Sequence, residues 1–255
     1  LIILGRRHGG GYAVLALAAA AAIFAMLAGP LTALSLVLIS GLSCAAMGIL
    51  LSKGRQPYIV LAGGTLTALI STIALLGVAQ LATGIPMAET AMQIFDESMK
   101  MQQSMFDVMK TDPAEAAAIA ERMQQMKEQA VLLIPSVVII GAVLSAFLNY
   151  WLSTVILRRL RMSVPHISPF RELMLPKSVL LGTIIIYLLS LVAASMKIVD
   201  EAVLMGNVQT LMMFTFAIQG MAVVVWYMHR RSVSRILMAV AIILLLFSSI
   251  GFTIL

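Results

Sequence analysis

Residues 58–83 of the chain read YIVLAGGTLTALISTIALLGVAQLAT, a run without one charged side chain. About 20 mostly apolar residues are enough for a helix to cross the hydrocarbon core of a bilayer. A helix suits that environment because it satisfies the backbone hydrogen bonds within its own segment. Residues 58–83 therefore predict a transmembrane helix.

Six further stretches of the chain have the same character, and none of them contains Asp, Glu, Lys, Arg or His. These predicted spans cover approximately residues 12–29, 31–52, 130–157, 178–196, 208–228 and 236–255. The fold class is therefore predicted as an all-α, polytopic transmembrane bundle of about seven spans. Residues 1–255 are expected to form a single membrane domain in contact with the lipid bilayer.

The composition agrees with this prediction. Of 255 residues, 61% are hydrophobic and 11% are charged, whereas an average soluble domain carries roughly 25% charged residues. The apolar residues are mainly aliphatic, which favours lipid-facing helices over the alternating strands of a β-barrel. The net charge of +6 comes from short basic clusters between apolar runs. Such clusters are typical of topology signals, so nucleic acid is not expected as a partner.

The distribution of charge predicts the orientation. Cytoplasmic loops of membrane proteins are enriched in Lys and Arg. If Arg6 is cytoplasmic, only one acidic residue, Glu172, lies on that side of the seven-span topology. The basic residues on the same side are Arg6, Arg7, Lys53, Arg55, Arg158, Arg159, Arg161, Arg171, Lys177, Arg230, Arg231 and Arg235. We expect a multi-pass protein of the bacterial cytoplasmic (inner) membrane with its basic loops inside.

Residues 84–129 are the one sizeable segment outside the predicted spans, and they lie on the outer side. Apolar residues recur there at helical spacing on both sides of a turn signal at Asp112-Pro113. We therefore predict an extracytoplasmic helical hairpin inserted between spans three and four. The hairpin is rich in methionine, which suits hairpin packing or contact with a partner protein. Binding of Cu(I) by the thioethers is a weaker alternative, because no His or Cys accompanies them.

Enzymatic chemistry is not expected. His8-Gly9-Gly10-Gly11 matches an oxyanion motif of some esterases, but the nucleophile elbow Gly-x-Ser-x-Gly is missing. No nucleophile–base pair or metal cluster is visible in the sequence, so no catalytic residue, metal site or cofactor is predicted. The lack of ionisable groups within the spans also disfavours proton-coupled transport.

Polar side chains in the fifth and sixth spans form a candidate ligand site. Their predicted depths match, and each pair shares a helix face because its members are three or four residues apart. The candidate ligand-binding residues are Tyr187, Ser190, Thr215 and Gln219, with Asn207 at the outer mouth. A neutral polar or amphipathic solute would suit this group. The alternative is that these side chains bond to one another and seal the bundle.

The first span carries a stripe of small residues, Ala18, Ala22 and Ala25. Small residues spaced by about four let membrane helices approach closely. The stripe serves either internal packing or an interface with another membrane protein.

Three short motifs resemble the YybS-like family of predicted bacterial membrane proteins. They are LIILGRRHG at residues 1–9, PFRELMLP at residues 169–176 and IQGMAV at residues 218–223. The resemblance covers nearly the whole chain and implies a polytopic membrane protein.

That family is similar in layout to the S components of energy-coupling-factor transporters, which capture small solutes outside the cell. The resemblance implies an energising module with ATPases as a partner, docked on an Ala-x-x-x-Ala stripe that Ala18 and Ala22 match. The leading hypothesis is therefore a substrate-capture subunit of this type. The alternative is a membrane scaffold or regulatory protein that acts through protein partners and transports no small molecule.

Overall fold

A computed structural model of the chain describes residues 1–86, 129–162, 169–175, 177–197 and 200–234, with isolated positions between 89 and 101 and between 237 and 242. Every regular element in these ranges is helical. The predicted outer hairpin and the predicted seventh span lie almost entirely outside the described residues, so both stay predictions.

Within the described residues, six helices are long and apolar enough to cross a membrane, and each overlaps one of the first six predicted spans. The spans are Gly10–Ala28, Pro30–Ser52, Pro57–Thr83, Ile134–Arg159, Lys177–Ser195 and Glu201–Arg230. The predicted class, an all-α multi-pass membrane protein, is thereby confirmed.

We number the helices along the chain. The labels are α1 for Ile2–His8, α2 for Gly10–Ala28, α3 for Pro30–Leu36, α4 for Leu42–Ser52, α5 for Pro57–Thr83, α6 for Ile134–Arg159, α7 for Lys177–Ser195 and α8 for Glu201–Arg230. A π-helical turn, Val37–Gly41, joins α3 to α4, so these three elements together form the second span.

Glycine and proline set several helix ends. Gly29 has a φ of 90°, which favours glycine, and Pro30 follows it as the first residue of α3. Pro57 likewise opens α5, and Gly84 closes that helix in the left-handed conformation. The chain can therefore reverse between spans one and two without an intervening loop.

The described contacts divide the chain into two compact units, Leu1–His166 and Ile167–Leu255. In the first unit, α1 crosses α4 at two glycines. A Cβ atom added to Gly5 would lie 2.8 Å from the backbone of Gly48. At the same crossing, the Arg6 guanidinium donates a hydrogen bond of 3.0 Å to the carbonyl of Leu51, near the end of the second span.

Helix α5 packs on α4 through a hydrogen bond and a close contact. The Ser43 hydroxyl of α4 donates a hydrogen bond of 2.9 Å to the Gly64 carbonyl of α5. Met47 fills the space beside Gly64, where an added Cβ atom would come within 2.6 Å of its side chain. Helix α6, which contains the fully buried Tyr150, also contacts α5.

The second unit contains the short 3₁₀ turn Phe170–Glu172 and helices α7 and α8. Because a short connection joins α7 and α8, they pack as antiparallel neighbours. Helix α8 begins at Glu201, seven residues before Val208, where the sequence predicted the start of the sixth membrane span. The physical reason is a cap: the Asp200 carboxylate accepts a hydrogen bond of 3.1 Å from the Val203 N–H.

Candidate functional site

The side-chain amide of Gln219, on the sixth span, binds the backbone of the segment before α7. Its Oε1 accepts a hydrogen bond of 3.0 Å from the Leu175 N–H. Its Nε2 donates a hydrogen bond of 3.3 Å to the Leu173 carbonyl. A glutamine can do both because its amide carries an acceptor oxygen and a donor nitrogen. We call this arrangement the Gln219 clamp.

The clamp satisfies two backbone groups of a non-helical segment close to a membrane span. Unpaired backbone groups are costly in an apolar environment, so a side chain that pairs with both of them stabilises the segment. The neighbouring 3₁₀ turn, Phe170–Glu172, also contacts α8. The clamp therefore fixes how far α7 lies along α8.

The structure does not bring Gln219 to the level of Tyr187. At about 1.5 Å per residue, Gln219 lies roughly 27 Å along α8 from Glu201, whereas Tyr187 lies only about 12 Å along α7 from Ser195. The matching depths derived from the sequence were counted from Val208, whereas helix α8 begins about two turns earlier. Because α8 starts early, Gln219 is level with the first turn of α7.

The other candidate ligand-binding groups bond within their own helices. The Ser190 hydroxyl donates to the Ile186 carbonyl, and the Thr215 hydroxyl donates to the Leu211 carbonyl, each over 2.8 Å. The Asn207 amide donates to the Val203 carbonyl over 2.6 Å. Such bonds to a carbonyl one turn back let polar side chains remain inside a membrane span. They are compatible with a sealed bundle.

Tyr187 is exposed, with 37% of its surface accessible, while Ser190 one turn later is buried. The two side chains therefore differ in environment although they lie on the same helix. A ligand-binding role for Tyr187, Ser190, Thr215, Gln219 and Asn207 stays a prediction.

The alanine stripe of the first span lies mainly on an accessible face. Ala18 and Ala22 are exposed, and Ala25 is partly exposed. The buried residues of α2 are Ala13 and Leu17. The buried residues of α2 are therefore not the alanines that were predicted to bind a partner. The partner interface stays a prediction.

An aromatic and basic cluster at the end of α8 went unnoticed in the sequence. The Arg230 guanidinium lies 5.5 Å from the centre of the Trp226 ring, and the Arg231 guanidinium lies 5.2 Å from that of Tyr227. Arg231 also donates a hydrogen bond of 2.8 Å to the Tyr227 hydroxyl. The sequence could have predicted both contacts, because the two members of each pair are four residues apart and so lie on the same helix face.

One buried hydroxyl, on α5, lacks a hydrogen-bond partner among the described residues. Ser71 on α5 is 1% exposed, and its hydroxyl oxygen makes no hydrogen bond among the described residues. Within the same ranges, no three His, Cys, Asp or Glu side chains come together as a metal site requires.

Comparison with known proteins supports the membrane assignment. The sequence model of the family described as "Predicted membrane protein (DUF2232)" matches residues 1–255. An "Uncharacterized protein YybS" of Bacillus subtilis (strain 168) is 27% identical over 157 residues, which cover 59% of this chain and 50% of the relative. The chain thus aligns with about half the length of that relative. No solved structure matches the chain.

Proposed function

The chain belongs to the DUF2232 family of predicted membrane proteins, and we propose that it is a substrate-capture subunit resembling the S component of an energy-coupling-factor transporter. Such a subunit binds a small solute and hands it to an energising module with ATPases. In this proposal the protein is not an enzyme and lies in the bacterial cytoplasmic membrane. The basic loops face the cytoplasm and the predicted hairpin faces outward.

The observation that carries this proposal is the accessible alanine face of the first span. Ala18 and Ala22 lie four residues apart and are both exposed. In lipid, apolar surface alone does not drive helices together, whereas small residues permit close packing between backbones. A face of this kind suits a partner membrane helix, as the layout of S components requires.

A membrane scaffold or regulatory protein is the second candidate. The polar side chains of the second unit favour this candidate, because they form hydrogen bonds with the backbone of the chain itself. Gln219 holds the segment before α7, and Ser190 and Thr215 bond within their own helices. In this alternative the alanine face, or the methionine-rich hairpin, binds a protein partner without any solute.

Co-purification from the native membrane tests the proposal. The full chain, an Ala22→Leu variant and an Ala28→Leu variant would each be isolated in mild detergent. Ala28 is also exposed, but it lies about 120° around the helix from Ala22, so it serves as a matched control. We expect a membrane protein with associated ATPases to accompany the full chain and the Ala28→Leu variant but not Ala22→Leu.

The outcomes separate the two candidates. A different protein, present without ATPases and lost only with Ala22→Leu, would favour the scaffold. If both variants retain every partner, the alanine face is not an interface and the proposal loses its support. Thermal melting of each variant shows whether a lost partner reflects lost folding.

A further inference from the structure

Two arginines at the end of α8, Arg230 and the C-cap residue Arg231, lie against aromatic rings. Trp226 and Tyr227 are 45% and 53% exposed, and Arg230 and Arg231 are exposed as well. Helical side chains lean toward the helix N-terminus, so each guanidinium reaches back over the ring one turn earlier. The stacking limits the motion of both arginines, which reduces the entropy lost when a ligand orders them.

The charges of these arginines are not neutralised within the described residues. The ion pair recorded in those ranges joins Arg171 to Glu172, at 3.6 Å. The end of a helix favours cations through its dipole, but it supplies only a partial charge. Two guanidinium groups therefore remain available for an anion.

The Gln219 clamp indicates the depth of this aromatic and basic cluster. Helix α7 is 19 residues long, and at about 1.5 Å per residue this nearly equals the roughly 30 Å of a hydrocarbon core. Its first residue, Lys177, carries a charge and so marks one boundary of that core. Gln219 bonds to the segment that directly precedes Lys177, so α8 leaves the core near Gln219.

Trp226 then lies about 10 Å beyond the boundary, measured along α8. The arginines lean back from the last turn to the level of the rings. The headgroup layer adds roughly 5–8 Å on each side of the core. The two guanidinium groups therefore lie at or just beyond the outer edge of the headgroup layer, next to the zone where Trp and Tyr are enriched in membrane proteins.

We propose that Arg230 and Arg231, held by Trp226 and Tyr227, form a binding site for the phosphate of an anionic phospholipid. Arginine suits phosphate because its planar guanidinium donates two parallel hydrogen bonds. The exposed surface that precedes the cluster, including Val223 at 53% exposure, lies about 6 Å beyond the core boundary and so would face the lipid headgroups. A lipid carries its phosphate near this depth because its acyl chains anchor it, whereas a soluble anion has no such anchor.

Lipid titration tests the proposal. The full chain in detergent would be titrated with phosphatidylglycerol or with phosphatidylcholine, and bound lipid would be counted by native mass spectrometry. We expect phosphatidylglycerol to bind preferentially. Replacing both arginines, as Arg230→Gln with Arg231→Gln, should weaken that binding by roughly thirtyfold.

A control with the same change of charge distinguishes a built site from a generally basic surface. Lys53→Gln with Arg55→Gln removes two positive charges from another exposed loop. We expect this control to bind phosphatidylglycerol nearly as well as the unchanged protein. An equal loss in both double variants would overturn the site in favour of diffuse attraction.

Two further measurements complete the test. Trp226→Leu with Tyr227→Leu keeps both arginines, and we expect weaker phosphatidylglycerol binding because the guanidinium groups lose their support. Unchanged binding in that variant, or in the double arginine variant, would contradict the proposal. Thermal stabilisation by soluble glycerol phosphate equal to that by phosphatidylglycerol would show that the acyl chains contribute nothing, which would exclude a lipid site.

Discussion

Gly5 and Gly48 bring helix α1 and the second span into backbone contact. A Cβ atom on Gly5 would lie 2.8 Å from both the Cα and the carbonyl carbon of Gly48. No flexible side chain can move aside at this point, because the neighbouring atoms belong to the backbone. The short helix at the start of the chain is thus fixed against the second span by the absence of two side chains.

The first prediction follows from this crossing. Gly5→Ala forces α1 away from α4, and overpacking of this kind typically costs about 1–3 kcal/mol. We expect a lower thermal midpoint in detergent. Gly11→Ala is the matched control, because nothing lies within 4 Å of its added Cβ atom. That control should be neutral or slightly stabilising, since alanine favours helix by up to about 1 kcal/mol over glycine. Equal midpoints for the two variants would contradict the close crossing.

The second prediction concerns the Gln219 clamp. Gln219→Leu leaves the Leu175 N–H and the Leu173 carbonyl without their side-chain partner. Hydrogen bonds in membrane proteins contribute about 0.6 kcal/mol on average, and two are lost here. We therefore expect a lower thermal midpoint and faster proteolysis between Pro169 and Lys177 in detergent. Thr215→Val is the control, because the Thr215 hydroxyl bonds only one turn back within α8. Unchanged proteolysis in Gln219→Leu would show that the clamp does not hold the segment.

The third prediction compares two serines that are equally buried, each 1% exposed. Ser43→Ala removes a hydrogen bond between the second and third spans and should destabilise the protein by about 0.6–1.7 kcal/mol. Ser71→Ala removes a hydroxyl that has no partner among the described residues. Relief of an unpaired buried group should stabilise by on the order of 1 kcal/mol. Thermal melting of the two variants under identical conditions measures the contrast, and a destabilised Ser71→Ala would reveal a partner for that hydroxyl.

The fourth prediction tests the proposed orientation. Single cysteines would be introduced as Arg55→Cys and Glu201→Cys on a Cys44→Ala background, since both positions are exposed. An impermeant thiol reagent applied to intact cells should label the Glu201 position, because it lies beside Asp200 at the end of α8 that is predicted outside. The Arg55 position should label only after the membrane is permeabilised. The reverse pattern would invert the topology.

The sequence predicted the membrane spans well, because length and hydropathy alone decide whether a helix crosses a bilayer. The start of helix α8 was not predicted, because only the membrane span from Val208 was derived, and the helix begins seven residues before it. Asp200 could have indicated the true start, as Asp is a favoured N-cap.

The contacts between helices were much less predictable. The approach of Gly5 to Gly48 joins positions far apart in the chain, and nothing local specifies such a pair. The Gln219 clamp was also missed, because its partners are backbone atoms, which every residue carries. The contact of Trp226 with Arg230 in the aromatic and basic cluster, by contrast, could have been predicted, because the two residues are four positions apart in a helix.

The π-helical turn Val37–Gly41 places one additional residue within the second span. A π turn holds one residue more than an α turn, so it takes up that residue without rotating the helix beyond it. Removing one residue from this turn would convert the span to a regular α-helix. Because the π turn already absorbs that residue, the helix on either side would keep its orientation, and Ser43 and Gly48 would stay with their partners. Removing a residue from a regular α turn of the same span would instead rotate one side by about 100° relative to the other. The second span therefore tolerates the loss of one residue at its π turn and nowhere else along its length.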